Sequence, residues 1–363
     1  MSEARIYGVA WLQVPGVGPV LLRRIQSHFG DLGVAWRVGA AALAEVEGIG
    51  MLSAERIVEE RSHIQPEQLY ERYSRQNANF WSMGEPDYPQ ILQEIPDPPV
   101  LLHYQGQVEA LQGPGVAIVG TRSPSEYGKR WARRLAAALS KAGFTIISGL
   151  AAGIDSIAHT ACLAAGGRTI AVLGCGVDVI YPPENRQLYH EILETGLVVS
   201  EYSQGTLPMR ATFPQRNRII AGLSRAVLII EAPQKSGALI TAYVANDYGR
   251  EVYALPGNLD NPKAMGCLGL ISRGAQLILG EGHLLEMLGR LPQLDQDADP
   301  EPTSPSLPEH LLPVWQAVAE ESTSFDRIIQ SSQMNTDEVN SALLQLELMG
   351  LITQLPGMFY QRL

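Results

Sequence analysis

The sequence predicts an α/β protein: a doubly wound, mostly parallel sheet set between a small N-terminal helical domain and a C-terminal module of three helices and a β-hairpin. Three observations predict it. Residues 116–280 alternate short β-branched runs with helix-patterned stretches, the order expected of βαβ units. A Gly-apolar-Gly turn, Gly16 to Gly18, recurs near the N-terminus as Gly48 to Gly50. A Pro-rich acidic stretch without a basic residue then separates the sheet from the last helices and strands.

In chain order, Val14-Pro15-Gly16-Val17-Gly18 precedes the apolar-periodic run from Val20 to Ile25, and Val46-Glu47-Gly48-Ile49-Gly50 precedes Leu52 to Ile57. Both read as helix-hairpin-helix units, whose Gly turn bares N–H groups at the start of the second helix, where a phosphate could dock. The same glycines would equally serve close helix approach in a plain bundle. Through residues 61–110, Tyr88-Pro89, Ile95-Pro96 and Asp97-Pro98-Pro99 break any helix, and Val100 to Tyr104 reads as a short strand. Strands follow at 116–119, 145–148, 169–173, 197–200, 226–230, 252–255 and 276–279. Helices fall between them at 127–141, 156–165, 186–194, 215–223 and 239–248. Beyond the Pro-rich stretch, helices at 313–320, 325–331 and 337–350 and a hairpin around Pro356-Gly357 make a winged helix. Asn335 and Glu338 form a capping-box start for its third helix. The domains are thus 1–75 helical, 76–290 sheet, 291–308 linker and 309–363 winged helix.

At 363 residues, 45% hydrophobic and 18% charged, the chain is of soluble globular type with room for two or three domains. Cys162, Cys175 and Cys267 lie far apart with no CxxC pair, which excludes a disulfide framework or zinc ribbon and fits a reducing cytoplasm. Glu3 and Arg5 precede any apolar run, so no secretory signal is expected, and no uncharged stretch reaches the roughly 20 residues of a membrane span. No metal or cofactor is expected. The net charge of −11 argues at first against a nucleic-acid partner. From Glu281 onward, however, there are 13 acidic and 3 basic residues, leaving 25 against 24 for residues 1–280. Between Gly115 and Ile230 the balance is 12 basic to 7 acidic.

In a doubly wound sheet, ligands bind beyond the carboxyl ends of the strands. The loops expected there are Gly120-Thr121-Arg122-Ser123, the stretch from Ser148-Gly149 through Gly153 to Asp155, Gly174-Cys175-Gly176, the segment from Arg210 through Phe213-Pro214-Gln215-Arg216-Asn217-Arg218, and Ser236-Gly237 to Thr241. Glycine turns and helix starts there suit phosphate, and an aromatic beside three guanidinium groups suits a single strand. Gly174-x-Gly176 continues to Val179 where a dinucleotide fingerprint needs Gly, so a dinucleotide site is disfavoured. Structural readings stand beside these: Arg216 and Arg218 pairing with Glu201 or Asp155, Ser236 as a helix cap, and His159 as a hydrogen-bonded core residue.

Several of these segments together resemble the DprA/Smf family. They are Val116-Ala-Ile-Val-Gly-Thr-Arg122, Ser148-Gly-Leu-Ala-Ala-Gly-Ile-Asp155 with Ala158-His159, Thr169 to Asp178 with Tyr181-Pro182 and Asn185, Ser200-Glu201-Tyr202, Phe213 to Gly222, Ser236-Gly237 with Thr241, and Leu255-Pro256-Gly257. The resemblance spans about residues 80–280. It implies an extended Rossmann-like domain flanked by a helix-hairpin-helix or SAM-like domain and a winged helix. It further implies a cytoplasmic, homodimeric protein that binds single-stranded DNA in a basic pocket, protects it, and loads a RecA-type recombinase during natural transformation. Carried over by motif, Arg122, Arg210 and Phe213 fall on strand-contacting positions, Arg210 where the family often has Lys; Arg216, Asn217 and Arg218 share that motif. The expectation is that Arg122 and Arg210 grip phosphates, the Ser148-Gly149 to Gly153 and Ser236-Gly237 loops add polar donors, and Phe213 stacks a base.

Two rival classes have sequence-level tests. Nucleoside-monophosphate phosphoribohydrolases of the lysine-decarboxylase-like group need two adjacent glycines and a catalytic Glu, whereas Ser236 to Ala242 holds one Gly and no Glu. A winged-helix transcription factor needs a basic recognition helix, and residues 337–347 hold three acidic residues and no basic one.

Overall fold

The structure is a computed structural model that describes residues 3–77, 79–289, 308, 310–319, 323–332, 334–349, 351–355 and 357–362. The chain divides into two compact units, Met1–Asp295 and Gln296–Leu363. The expected linker at 291–308 falls almost wholly outside the described residues.

The first unit opens with α1 (Glu3–Trp11), α2 (Pro19–Phe29), α3 (Leu32–Arg37), the short α4 (Ala40–Leu43), α5 (Met51–Ser62) and α6 (Pro66–Gln76). Their apolar faces bury Trp11, Leu22, Ile25, Leu43, Ala54 and Ile57. Gly16 (φ +82°) and Gly48 (φ +90°) take the left-handed conformation that each turn needs and that side chains resist. The two hairpins are tied crosswise. Arg24 of α2 lies against Gly48 and donates from Nη1 to the Glu47 carbonyl at 3.1 Å, while the Arg56 guanidinium of α5 lies against Gly16. Arg24 stands to Gly16 as Arg56 stands to Gly48 in the sequence, so the repeat is structural as well as sequential.

Among the described residues the sheet has nine strands: β1 (Phe80–Ser82), β2 (Leu101–Gly106), β3 (Gly115–Val119), β4 (Thr145–Ser148), β5 (Thr169–Leu173), β6 (Leu197–Ser200), β7 (Ala226–Ile229), β8 (Glu251–Ala254) and β9 (Gln276–Leu277). Their order is β1-β2-β6-β5-β4-β3-β7-β8-β9. From β6 to β9 every pair is parallel; β2 joins β6 antiparallel and carries β1 at the edge. Strands β3 to β7 are buried along their whole length, which explains their unbroken apolar runs. The short α7 (Gln90–Gln93) lies between β1 and β2 in sequence. One face of the sheet is covered by α8 (Glu126–Lys141), α9 (Ile154–Ala164), α10 (Arg186–Thr195) and α14 (Glu281–Gly289). The other packs α11 (Thr212–Gly222), α12 (Gly237–Asp247), α13 (Met265–Ile271) and the N-terminal helices into one core.

Helix α6 and strand β1 were not expected from the sequence; a strand as short as β1 gives no period to read. A polar seam fixes α6 to the sheet. Tyr73 Oη lies 2.8 Å from His103 Nε2 and 3.0 Å from Ser203 Oγ, and Asn77 Oδ1 accepts from the Gln204 N–H at 2.9 Å. Burial pushes His103 down to about 4.

The second unit contains α15 (Leu312–Ala317), α16 (Phe325–Ser332), α17 (Thr336–Leu348) and strands β10 (Thr323–Ser324), β11 (Ile352–Leu355) and β12 (Phe359–Arg362), in sheet order β10-β12-β11. Val314, Ile328, Val339, Leu346 and Tyr360 form its core. The capping box of Asn335 and Glu338 is present. This is a winged helix.

Candidate nucleic-acid interface

Strand β3 has β4 on one side and β7 on the other, so the winding direction reverses between β3 and β7. A cleft of about 730 Å³ opens at the carboxyl ends of the strands beside that reversal. Each of five consecutive parallel-strand connections supplies part of its wall: Gly120 to Arg122 after β3, Ala151 and Asp155 after β4, Tyr181 after β5, Arg210 to Asn217 after β6, and Pro233 to Thr241 after β7. This is where the topology of a doubly wound sheet parts its loops.

The rim carries exposed cations and aromatic surface. Arg122, Arg210 and Lys235 are exposed, and among the described residues none of the three has a carboxylate within ion-pair distance. Phe213 stands in the first turn of α11, anchored by its neighbour Thr212, whose Oγ1 donates to the Gly174 carbonyl at 2.5 Å. The Arg122 guanidinium lies 5.6 Å from the Phe213 ring centroid. The half-exposed Tyr181 ring also lies 5.5 Å from that of Phe213, tilted 33°. The three side chains make one continuous ledge.

The floor differs. Arg216 is 4% exposed; its Nη1 donates to the Val172 carbonyl, and a Cβ at position 149 would overlap its guanidinium, so only Gly149 leaves it room. Asp155, 6% exposed, accepts the Gly149 N–H at 3.1 Å. Burial pushes the Asp155 carboxyl up, with Arg216 as the leading opposing influence, and burial pushes Arg216 down against Asp155. Beneath the loop each charge offsets part of the cost of burying the other.

Four expected site residues therefore lie elsewhere than in the cleft wall. Ser148 is fully buried and donates from Oγ to the Ile118 carbonyl at 2.6 Å. The Gly149 N–H is spent on Asp155, so this loop binds the protein's own carboxylate where a phosphate cradle was expected. Gly153 (φ +89°) permits the loop to press on the Thr121 and Arg122 backbone. Arg218 is bound by Glu201, by the Asp97 carbonyl and, at 3.5 Å, by the Asp97 carboxylate. Ser148, Gly149 and Arg218 thus each have an internal partner in the fold.

Seven line the cleft: Arg122, Arg210, Phe213, Arg216, Asn217, Ser236 and Gly237. Asn217 Nδ2 donates to the Gly237 carbonyl at 3.3 Å, joining α11 to α12, and Ser236 Oγ caps α12 by accepting the Ala238 N–H at 3.3 Å. His159 is fully buried with Nδ1 2.6 Å from Thr169 Oγ1, and burial pushes it down to about 3. The three cysteines are buried thiols. Sequence reasoning missed Lys235, whose signal is its place one residue before the Ser236-Gly237 helix start. It also left Tyr181 without a role, and that ring is recognisable only once the fold brings it to Phe213.

Carboxylates for acid–base work are scarce here. Asp155 is held by the Gly149 amide, and Glu231 accepts from Ser125 N (2.7 Å), Ser125 Oγ (2.7 Å) and Asn261 Nδ2 (3.0 Å). No cluster of three or more metal-ligating side chains occurs among the described residues. Nor is any described helix long and apolar enough to cross a membrane.

Residues 79–289 match the family model of DNA recombination-mediator protein A, and residues 298–358 match the DprA winged helix domain. Protein Smf of Synechocystis sp. is 47% identical over 99% of both chains. DNA processing protein DprA of Bacillus subtilis is 42% identical over 60% of this chain and 73% of its own. Among solved structures, DprA from Streptococcus pneumoniae superposes with a TM-score of 0.68 at 35% identity, covering 79% of this chain and 98% of that one. DNA processing protein A from Helicobacter pylori, a structure addressing its single-stranded DNA binding mode, superposes at 0.53 with 34% identity over 58% and 95%.

Proposed function

The chain belongs to the DprA/Smf family of DNA-processing proteins, and from that premise we propose that its cleft binds single-stranded DNA. One observation carries the reading: the ledge of Arg122, Phe213 and Tyr181, with Arg210 and Lys235 on the same rim, joins cations that have no carboxylate partner among the described residues to partly exposed rings. Cations without a carboxylate partner are free to replace the counterions of a phosphate backbone. Ring faces are useful to bases that are unstacked, and those belong to single strands.

Binding without turnover is the reading favoured by the two buried carboxylates, both engaged by internal donors. Sheltering the strand and passing it to a RecA-type recombinase, by a cytoplasmic homodimer, completes the proposal on the strength of family membership.

The test is an anisotropy titration of single-stranded oligonucleotide over a salt series. Arg122→Ala and Arg210→Ala should each weaken binding and shallow the salt slope by about 0.7. Phe213→Ala should cost about 1–3 kcal/mol with the slope unchanged. Wild-type affinity in both Arg122→Ala and Phe213→Ala would sink the proposal. Release of free base from a nucleoside monophosphate would instead favour the hydrolase class.

A further inference from the structure

Of the 12 basic residues between Gly115 and Ile230, five lie on a single helix outside the cleft: Lys129, Arg130, Arg133, Arg134 and Lys141 of α8. Its one acidic residue, Glu126, is bonded to Lys129 at 2.7 Å. Arg134 is held by Glu281 through Nε (2.7 Å) and Nη2 (3.0 Å). Arg130, Arg133 and Lys141 remain exposed, without a carboxylate at ion-pair distance among the described residues. We propose that this face of α8 is a second nucleic-acid track, which carries the single strand onward after it leaves the cleft. The proposal rests on the single-strand reading above.

Three features support it. The first is alignment: Arg130, Arg133, Arg134 and Lys141 stand at helix positions i, i+3, i+4 and i+11, on one side, while Gly128, Ala132, Leu135, Ala136 and Leu139 bury the other. The 16-residue helix runs about 24 Å, room for several nucleotides. The second is continuity. Only Ser123, Pro124 and Ser125 separate Arg122 on the cleft rim from the start of α8, and Lys263 Nζ donates to the Ser123 carbonyl at 2.6 Å, setting another cation on that bridge.

The third is preparation of charge. The Arg130 guanidinium lies 5.7 Å from the Tyr127 ring centroid. A stacked guanidinium is partly ordered before a phosphate arrives, so less rotamer entropy is lost on contact. A protein partner fits this face less well. No large side chain among the exposed hydrophobics belongs to α8, so an aromatic or aliphatic anchor for a protein partner is lacking on the helix itself. A merely solvated face in a chain of net charge −11 would be expected to mix its signs more evenly.

The experiment compares two oligonucleotides on the full chain: one just long enough to fill the cleft, and one several times longer. The triple variant Arg130→Gln, Arg133→Gln, Lys141→Gln keeps polar, exposed side chains, and its melting curve verifies folding. Expected is a roughly tenfold loss of affinity for the long strand, with its salt slope shallower by about 2, and an unchanged short strand. Unchanged affinity for both lengths overturns the track, as it would if the face docks a protein. Equal weakening of both lengths also overturns it, since the charges would then act through the cleft. Arg122→Ala separates this outcome from failure of the cleft itself: it should weaken both lengths, and if it weakens neither, the single-strand reading fails.

Discussion

The rim and the floor of the cleft use the same residue types to opposite ends. On the rim, Arg122 and Arg210 are exposed and have no carboxylate partner among the described residues; on the floor, Arg216 is enclosed by the Val172 carbonyl and the space that Gly149 leaves, with the Asp155 charge offsetting part of its burial. The glycines diverge likewise. Gly237 opens a helix on the cleft wall, while Gly149 is required because a neighbouring arginine fills the space of its missing side chain. The difference teaches that an arginine near a phosphate site is available to ligand only when the fold has not already matched it with a carboxylate or carbonyl.

Breaking the floor should produce the largest effects, and they should appear in stability. Arg216→Ala removes the cation that offsets burial of the Asp155 carboxylate, together with the bond to the Val172 carbonyl, and should cost about 1–3 kcal/mol in urea denaturation. A loss below about 1 kcal/mol would show that the floor is not a coupled pair. Acid should act on the same region through His159. Its pKa in the fold lies near 3, under the ordinary 6.5, so the unfolded chain takes up the proton first. The stability His159 confers is complete above pH 6.5 and declines below it, by about 1.4 kcal/mol per pH unit, toward pH 3. Denaturation curves of wild type and His159→Gln across that window should diverge by this slope; parallel curves would remove His159 from the account. The rim should barely register in stability. Lys235→Ala should change the unfolding free energy by less than about 0.5 kcal/mol, yet shallow the salt slope of strand binding by about 0.7. A Lys235→Ala variant with an unaltered slope would place the strand on the Arg122 side of the cleft alone.

Much of the fold was legible because parallel strands and their helices announce themselves by period. β3 to β7 and α8 to α12 fall within a few residues of their expected places. The cleft was legible too, because the rule linking strand ends to ligands needs only the order of elements. What could not be read was which donor meets which acceptor. Asp155 is 6 residues beyond Gly149, and nothing in that spacing says that its carboxylate will turn back onto the loop amide. Arg218 and Asp97 are 121 residues apart, and only folding brings them together. Motif matching grouped Arg216, Asn217 and Arg218 as neighbours in sequence. The helix they share sends Arg216 to the floor, Asn217 to the α12 junction and Arg218 to the opposite carboxylates.

The crosswise pairing of Arg24 with the Gly48 turn and Arg56 with the Gly16 turn bears on the order in which the molecule assembles. Those contacts join consecutive hairpins, whereas Val116 in β3 must find Ala226 in β7 across the three strands and four helices, α8 to α11, that lie between them in sequence. Short loops close at lower entropic cost than long ones, so the paired hairpins can form while the central strands are still searching. During synthesis they also emerge before the strands of the sheet. The helical segment thus gives the growing chain a preformed apolar surface, ready for β1 and β2 before the parallel strands arrive.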